Sequence, residues 1–128
     1  MYELSKQFRF DSAHTLERDA PSEAQKQASR RVHGHSFRAE VTLRGAVQPS
    51  SGMVVDLDVL ERALADLRLE LDHRMLNDIP GLEMPTMENL CRWIWHKLVG
   101  QFPNLTRVAV HRDGNGESCA YYGAANKS

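Results

Sequence analysis

The sequence predicts an α+β domain, a four-stranded antiparallel sheet with two helices on one face. Two observations carry that prediction: runs of strand-like alternation occur as a pair at the two ends of the chain, and two amphipathic stretches at helical spacing lie between them. With 128 residues the chain fits a single domain over 1–128, long enough to bury a core without metal or disulfide staples.

The first strand is expected over about residues 2–13, where Phe8, Phe10, Ser12 and His14 share one face and Gln7, Arg9 and Asp11 the other. The segment LERDAPSEAQKQASRR then reads as a polar loop, of a length that usually signals function or disorder. A second strand, about 33–46, places His33, His35, Phe37, Ala39, Val41 and Leu43 on one face and Ser36, Arg38, Glu40, Thr42 and Arg44 on the other. A turn cluster over 48–52 and a short apolar run over 53–55 follow. Leu60, Ala63, Leu64, Leu67 and Leu71 recur at helical spacing, predicting a helix over about 57–71. Met87, Leu90, Cys91, Ile94 and Leu98 predict a second helix, with Thr86 as N-cap and Glu88 in the first turn, where the helix dipole favours a carboxylate. That stripe makes Cys91 a small buried hydrophobe and leaves Trp93, Trp95 and His96 for core, subunit contact or solvent. The runs LTRVAVHRD and ESCAYYG, joined through Gly114, Asn115 and Gly116, form a hairpin, and the final AANKS is expected to fray. Such a sheet leaves two edges, so edge-to-edge assembly into a closed ring is expected.

Composition narrows the function. Sixteen Lys and Arg against seventeen Asp and Glu give a formal net charge of −1, with no long basic run, which argues against nucleic acid as the main partner. No apolar stretch approaches the ~20 residues of a membrane span, and the chain opens on the strand-like MYELSKQFRF rather than a signal peptide. Two cysteines give no disulfide framework; a cytoplasmic location is expected.

His14, His33 and His35 stand where apolar strand faces should simply continue. Any one alone reads as a satisfied core histidine. Three together point to a metal site, because positions i and i+2 of a strand hold two imidazoles roughly 7 Å apart at Cα on one side, a span they can close around an ion. Neither Cys91 nor Cys119 is near in sequence to close a structural site, so the pattern suits a catalytic zinc with an open fourth position. Asp72 and His73 supply a carboxylate and an imidazole, either a proton shuttle or simply a helix C-terminus where a cationic histidine is favoured.

The segments FRFDSAH, RRVHGHSF, GMVVDLDVL, LDHRMLNDIPG and PTMENL, in that order, resemble the 6-pyruvoyltetrahydropterin synthase and QueD family, the latter being 6-carboxytetrahydropterin synthases of queuosine biosynthesis. The resemblance covers nearly the whole chain. It implies the tunnelling fold, a trimeric barrel of sheets usually stacked into a homohexamer, with active sites at subunit interfaces. It also implies zinc on His14, His33 and His35, a lyase reaction on 7,8-dihydroneopterin triphosphate, and a catalytic relay in which Asp72 and His73 work with a cysteine.

Two positions depart from the family pattern. Ser29 occupies the place of the cysteine, four residues before His33. A thiol of pKa about 8.5 is readily lowered to a thiolate, whereas a serine hydroxyl needs a general base. Ser29 could relay a proton if His73 reaches it; otherwise the chain is a paralogue with altered chemistry, a protein whose cysteine was deliberately replaced, or one in which a group such as Glu23 takes over. Some family members without the cysteine use a nearby glutamate and yield a hydroxymethylpterin, but Glu23 lies six residues before Ser29, too far to be equated with it. The second departure is at the pterin anchor, a glutamate in the family, where Asp113 keeps bidentate chemistry with one methylene less reach. His111 shares its face and reads as an ordinary strand histidine, and the hairpin turn is expected to carry Glu117 away. The resemblance makes Thr86 a second pterin contact, compatible with its N-cap role. Arg30 and Arg31 could attract a triphosphate, but a pair of arginines in a polar loop is more often solvated surface.

The leading expectation is a zinc-dependent pterin lyase; the alternatives are a zinc- and pterin-binding paralogue without synthase activity and a pterin side-chain aldolase.

Overall fold

The computed structural model describes residues 1–17 and 20–124. Four strands, β1 (Tyr2–His14), β2 (His33–Gly45), β3 (Leu105–Arg112) and β4 (Glu117–Tyr121), form one antiparallel sheet in the order β1-β2-β3-β4. Helices α2 (Leu57–Leu71) and α3 (Met87–Leu98) cover one face, as the periodicity predicts. The expected fraying of AANKS falls, apart from Ala124, on residues 125–128, outside the described residues.

The core is the meeting of the predicted apolar faces. Phe10, Phe37, Val41, Leu43, Val108 and Val110 of the sheet pack against Leu60, Leu64, Leu67 and Leu71 of α2 and Leu90, Cys91, Ile94 and Leu98 of α3. Each fully buried leucine of this set contributes roughly 1.5–3 kcal/mol of transfer free energy. Phe10 and Phe37 stack with centroids 5.0 Å apart, and Phe37 lies edge-on to His14 at 6.4 Å, so the histidines stand on an aromatic floor. Cys91 is fully buried, with its thiol pushed up by that burial, which fits a packing role. Trp93 is buried with its indole donating to the Pro80 carbonyl, Trp95 meets Tyr121 edge-on, and His96 is exposed.

One element corrects the reading of a polar loop: Glu23–Arg30 is a helix, α1. Ser22 caps it by accepting from the Gln25 amide at 3.2 Å, and no residue of α1 is buried. It has no apolar stripe to reveal it, so hydrophobic periodicity passes over it. The sequence signal that remains is the Ser22-x-x-Gln25 capping pattern with helix formers behind it.

The C-terminal half of β1 is also tied down at its outer edge. Ala13 N–H donates to the Arg74 carbonyl at 3.0 Å, His73 N–H to the Asp11 carbonyl at 2.7 Å, and Arg68 Nε to the Arg9 carbonyl at 2.8 Å. These bonds dock the exit of α2 against the end of β1 that carries His14.

Candidate metal centre

Strand register brings the three histidines together. His14 lies directly opposite His33 across β1 and β2, and His35 is opposite Ser12, so alternation puts all three rings on the helix side of the sheet. Their centroids are 4.6, 4.9 and 5.2 Å apart, and one nitrogen of each lies within 4.8 Å of the others. His33 Nδ1 sits 2.8 Å from the Arg31 carbonyl, which can only accept; Nδ1 therefore carries the proton and Nε2 offers a lone pair. That Nε2 faces His14 Nε2 at 3.0 Å. Tetrahedral ligands at about 2.0–2.1 Å from an ion stand roughly 3.3 Å apart, so the two nitrogens are close to ligand spacing.

Electrostatics favour the same use. Burial, then the neighbouring His33 and His35, lowers His14 to a pKa of about 4, with the Pro85 carbonyl working the other way. Burial, then Arg112 and His33, also lowers His35. Imidazoles held neutral near pH 7 present the lone pairs that a metal needs. Three imidazoles at ligand spacing, with His14 and His35 held neutral by burial, fit a divalent ion such as zinc.

Asp72 and His73 come together as a pair, but not with Ser29. Asp72 ends α2, accepts from the Asp11 amide at 2.8 Å, and pairs with Arg68 at 3.0 Å and His73 at 3.6 Å. The Asp11 amide, then Arg68 and His73, holds its carboxyl below the usual range, so it is an anion that orients His73. His73 adopts φ +56° and its side chain is 80% exposed. His73 lines a cavity of about 550 Å³ with Asp11, Gly34, His35 and Met75. Ser29, in the last turn of α1, lines a different cavity of about 400 Å³ with Gln25, His33, His35, Arg112, Asn115 and Glu117. Within one chain, His35 is the wall common to both.

Asp113 is not on this side of the sheet. Arg38 holds it with two bonds of 2.9 and 3.0 Å, Arg9 adds a third at 3.5 Å, and Arg38 keeps its carboxyl below the usual range. The reason is parity: Val108, Val110 and Arg112 face the histidines, whereas His111 and Asp113 alternate to the polar face. A pterin anchor at Asp113 is therefore replaced by an ion-paired surface carboxylate. Glu117, expected to be carried off by the turn, instead lies opposite Arg112 on β4 and forms an ion pair with it inside the histidine cavity. Alternation from Val110 would have found Arg112, and tight hairpin register would have found Glu117.

Thr86 is the N-cap of α3, accepting from the Asn89 amide at 3.2 Å, and it lines a small pocket with Thr15, Asn77 and Pro85. Arg30 pairs with Glu17 at 3.1 Å and Glu23 at 3.9 Å, and Arg31 serves through its carbonyl to His33. The second group with ligand spacing, Asp11, Asp72 and His73, includes the carboxylate already paired with Arg68.

Comparison with known proteins places these features in a lineage. The chain matches the family described as 6-pyruvoyl tetrahydropterin synthase over residues 3–124. It is 41% identical over 103 residues to a 6-carboxy-5,6,7,8-tetrahydropterin synthase of Synechocystis, covering 77% of this chain and 75% of that protein. It is 33% identical to the dihydroneopterin monophosphate aldolase of Pyrococcus furiosus, covering 73% and 72%. The structure of the Caenorhabditis elegans 6-pyruvoyl tetrahydropterin synthase superposes with a TM-score of 0.82 at 27% identity, covering 96% of each chain.

Proposed function

The chain belongs to the 6-pyruvoyl tetrahydropterin synthase family, and on that premise we propose that it is a zinc-dependent lyase converting 7,8-dihydroneopterin triphosphate to 6-carboxy-5,6,7,8-tetrahydropterin or a related tetrahydropterin. The observation that carries the reading is the convergence of His14, His33 and His35, three imidazoles at ligand spacing on one buried wall. Bound there, zinc would polarise neighbouring side-chain hydroxyls of the pterin as a Lewis acid.

The chain's own residues have separate tasks. His14 and His35, kept neutral, hold the metal, and His33 is oriented by the Arg31 carbonyl. Asp72 fixes His73, which takes and returns a proton. The wide exposure of His73 supports its serving a neighbouring subunit's cavity in a trimer or hexamer, where it would meet the Ser29 of another copy. Ser29 would then relay a proton, its hydroxyl passing one on as it accepts one from the imidazole, rather than acting as a thiolate. Thr86 contributes to pterin binding beside His14. Activity in queuosine biosynthesis in the cytoplasm completes the reading.

A second reading, aldolase cleavage to a hydroxymethylpterin, is favoured by the absence of a thiol at position 29 and by the aldolase relative. Purified protein loaded with zinc and given dihydroneopterin triphosphate decides between them by product chromatography. The carboxy or pyruvoyl tetrahydropterin is expected. Hydroxymethylpterin would establish the aldolase instead. If no product forms and Ser29→Cys creates one, the natural chain is a binding paralogue.

A further inference from the structure

One wall of the histidine cavity has no task in the reaction described above. Arg112, at the end of β3, points to the same face as Val108 and Val110, and its side chain is only 17% exposed. A guanidinium carries five N–H donors in a planar fork. Here Nη2 donates to Glu117, Nη1 lies 3.2 Å from His35 Nε2, and Nε is buried without a partner among the described residues. The contact with His35 draws on the lone pair that ligation of a metal through Nε2 would use. With that nitrogen given to a metal, Arg112 keeps one carboxylate for five donors.

Charge points the same way. With a divalent ion bound, one guanidinium and the single carboxylate that lines the cavity among the described residues, Glu117, would leave two uncompensated positive charges, and the facing groups Ser29, Gln25 and Asn115 are neutral. The carboxylate of Asp113 does not offset them, since Arg38 and Arg9 hold it on the other face of the sheet. A partly desolvated guanidinium that lines a cavity of about 400 Å³ beside a cation site, with Nη1 released from His35 when a metal takes that nitrogen, is a receptor for a planar or tetrahedral oxyanion.

We propose that Arg112 receives an oxyanion of the ligand, a carboxylate or a phosphate, beside the metal site, and that Glu117 is the carboxylate that occupies one donor of its guanidinium and competes with that oxyanion. This deepens the lyase reading, on which it rests for the metal. It makes the β3–β4 end of the cavity the place where the charged arm of substrate or product docks, and it makes Arg112 a determinant of specificity.

Cobalt-loaded protein provides the test, because a paramagnetic ion broadens the phosphorus resonance of inorganic phosphate bound near it. Broadening is expected with the parent protein, and acetate should compete. Acetate competing more strongly than phosphate assigns the arm as a carboxylate, and the reverse assigns it as a phosphate. Arg112→Gln should weaken phosphate binding roughly ten- to a hundred-fold, the worth of a hydrogen bond to a charged group. Arg112→Lys should retain part of it. Glu117→Gln should act in the opposite direction and tighten binding, since it removes the one competing anion, whereas a merely structural ion pair would be damaged alike from either side. Cobalt absorption of each variant before phosphate is added checks that the metal is still held. Unchanged phosphate binding in Arg112→Gln, or equal weakening in Arg112→Gln and Glu117→Gln, would overturn the proposal. Turnover that ignores Arg112 overturns the oxyanion site alone; oxyanion binding without any pterin turnover overturns the lyase reading alone.

Discussion

At His14 the burial that prepares a ligand also makes the fold sensitive to acid. The ring is 2% exposed, and its pKa falls from 6.5 to about 4. Below about pH 6.5 the unfolded chain binds a proton that the folded state still refuses. Stability without metal therefore falls as pH drops from about 6.5 towards 4, and is fully present above that window. The contribution from this one group is on the order of 3 kcal/mol. His35, shifted the same way, adds to it, while Glu40, Asp72 and Asp113, whose carboxyls are lowered by their partners, are lost only at still lower pH. Urea denaturation of the metal-free protein should show a clearly lower midpoint at pH 4.5 than at pH 7, and His14→Gln should flatten the difference. Equal midpoints for the parent protein would refute the assignment. His35→Ala tests the ligand set itself: it should lose stoichiometric zinc in metal analysis, and retention of a full equivalent would rule out the three-histidine site.

At the scale of elements, α1 is held differently from every other helix. It buries no side chain; its ties include the Ser22 cap, the bond from Leu16 N–H to the Ser29 carbonyl at 2.8 Å, and the exposed pairs of Arg30. Ser22→Ala should cost about 1 kcal/mol of local helix stability. Because nothing in the core depends on α1, faster amide hydrogen exchange over 23–30 is expected with an unchanged melting temperature. A fall in melting temperature would mean that α1 is packed into the fold after all. The contrast with α2 explains what the sequence makes legible. Helix α2 spans the residues its leucine stripe predicts, because burial forces a periodic pattern. Helix α1 lacks that pressure, and only its capping residues betray it. The same holds for the site. His14, His33 and His35 are visible because each interrupts an apolar face, whereas Asp113 offers suitable carboxylate chemistry at the wrong parity. Arg112 has the right parity and an unexpected charge. The separation of Ser29 from His73 is a tertiary fact that no local pattern encodes.

For the whole molecule the open question is how the sheet edges are closed. Along β1, the amides of Asp11 and Ala13 point outward and find partners in Asp72 and Arg74, so by antiparallel alternation the outward groups of Glu3, Ser5 and Gln7 are the ones left for another strand. At the other edge lies β4, five residues long, which matches the five-residue stretch from Glu3 to Gln7. The two edges are different strands. Pairing β1 of one copy with β4 of the next is therefore head-to-tail, and a head-to-tail contact that closes makes a ring rather than a dimer. Exposed Tyr2, Met53 and Leu57 line a groove of about 740 Å³ at this same end of β1, apolar surface that a neighbouring copy would cover. Light scattering is expected to return three or six chain masses. Ser5→Pro removes an outward N–H and the Ser5 Oγ–Thr42 Oγ1 bond of 2.7 Å while sparing the backbone bonds from β1 to β2, so it should yield monomers of unchanged circular dichroism. With the Asp72–His73 dyad and the Ser29 cavity separated within one chain, those monomers should also keep their zinc but lose turnover. A monomeric parent protein, or a fully active Ser5→Pro monomer, would show that one chain completes the site by itself.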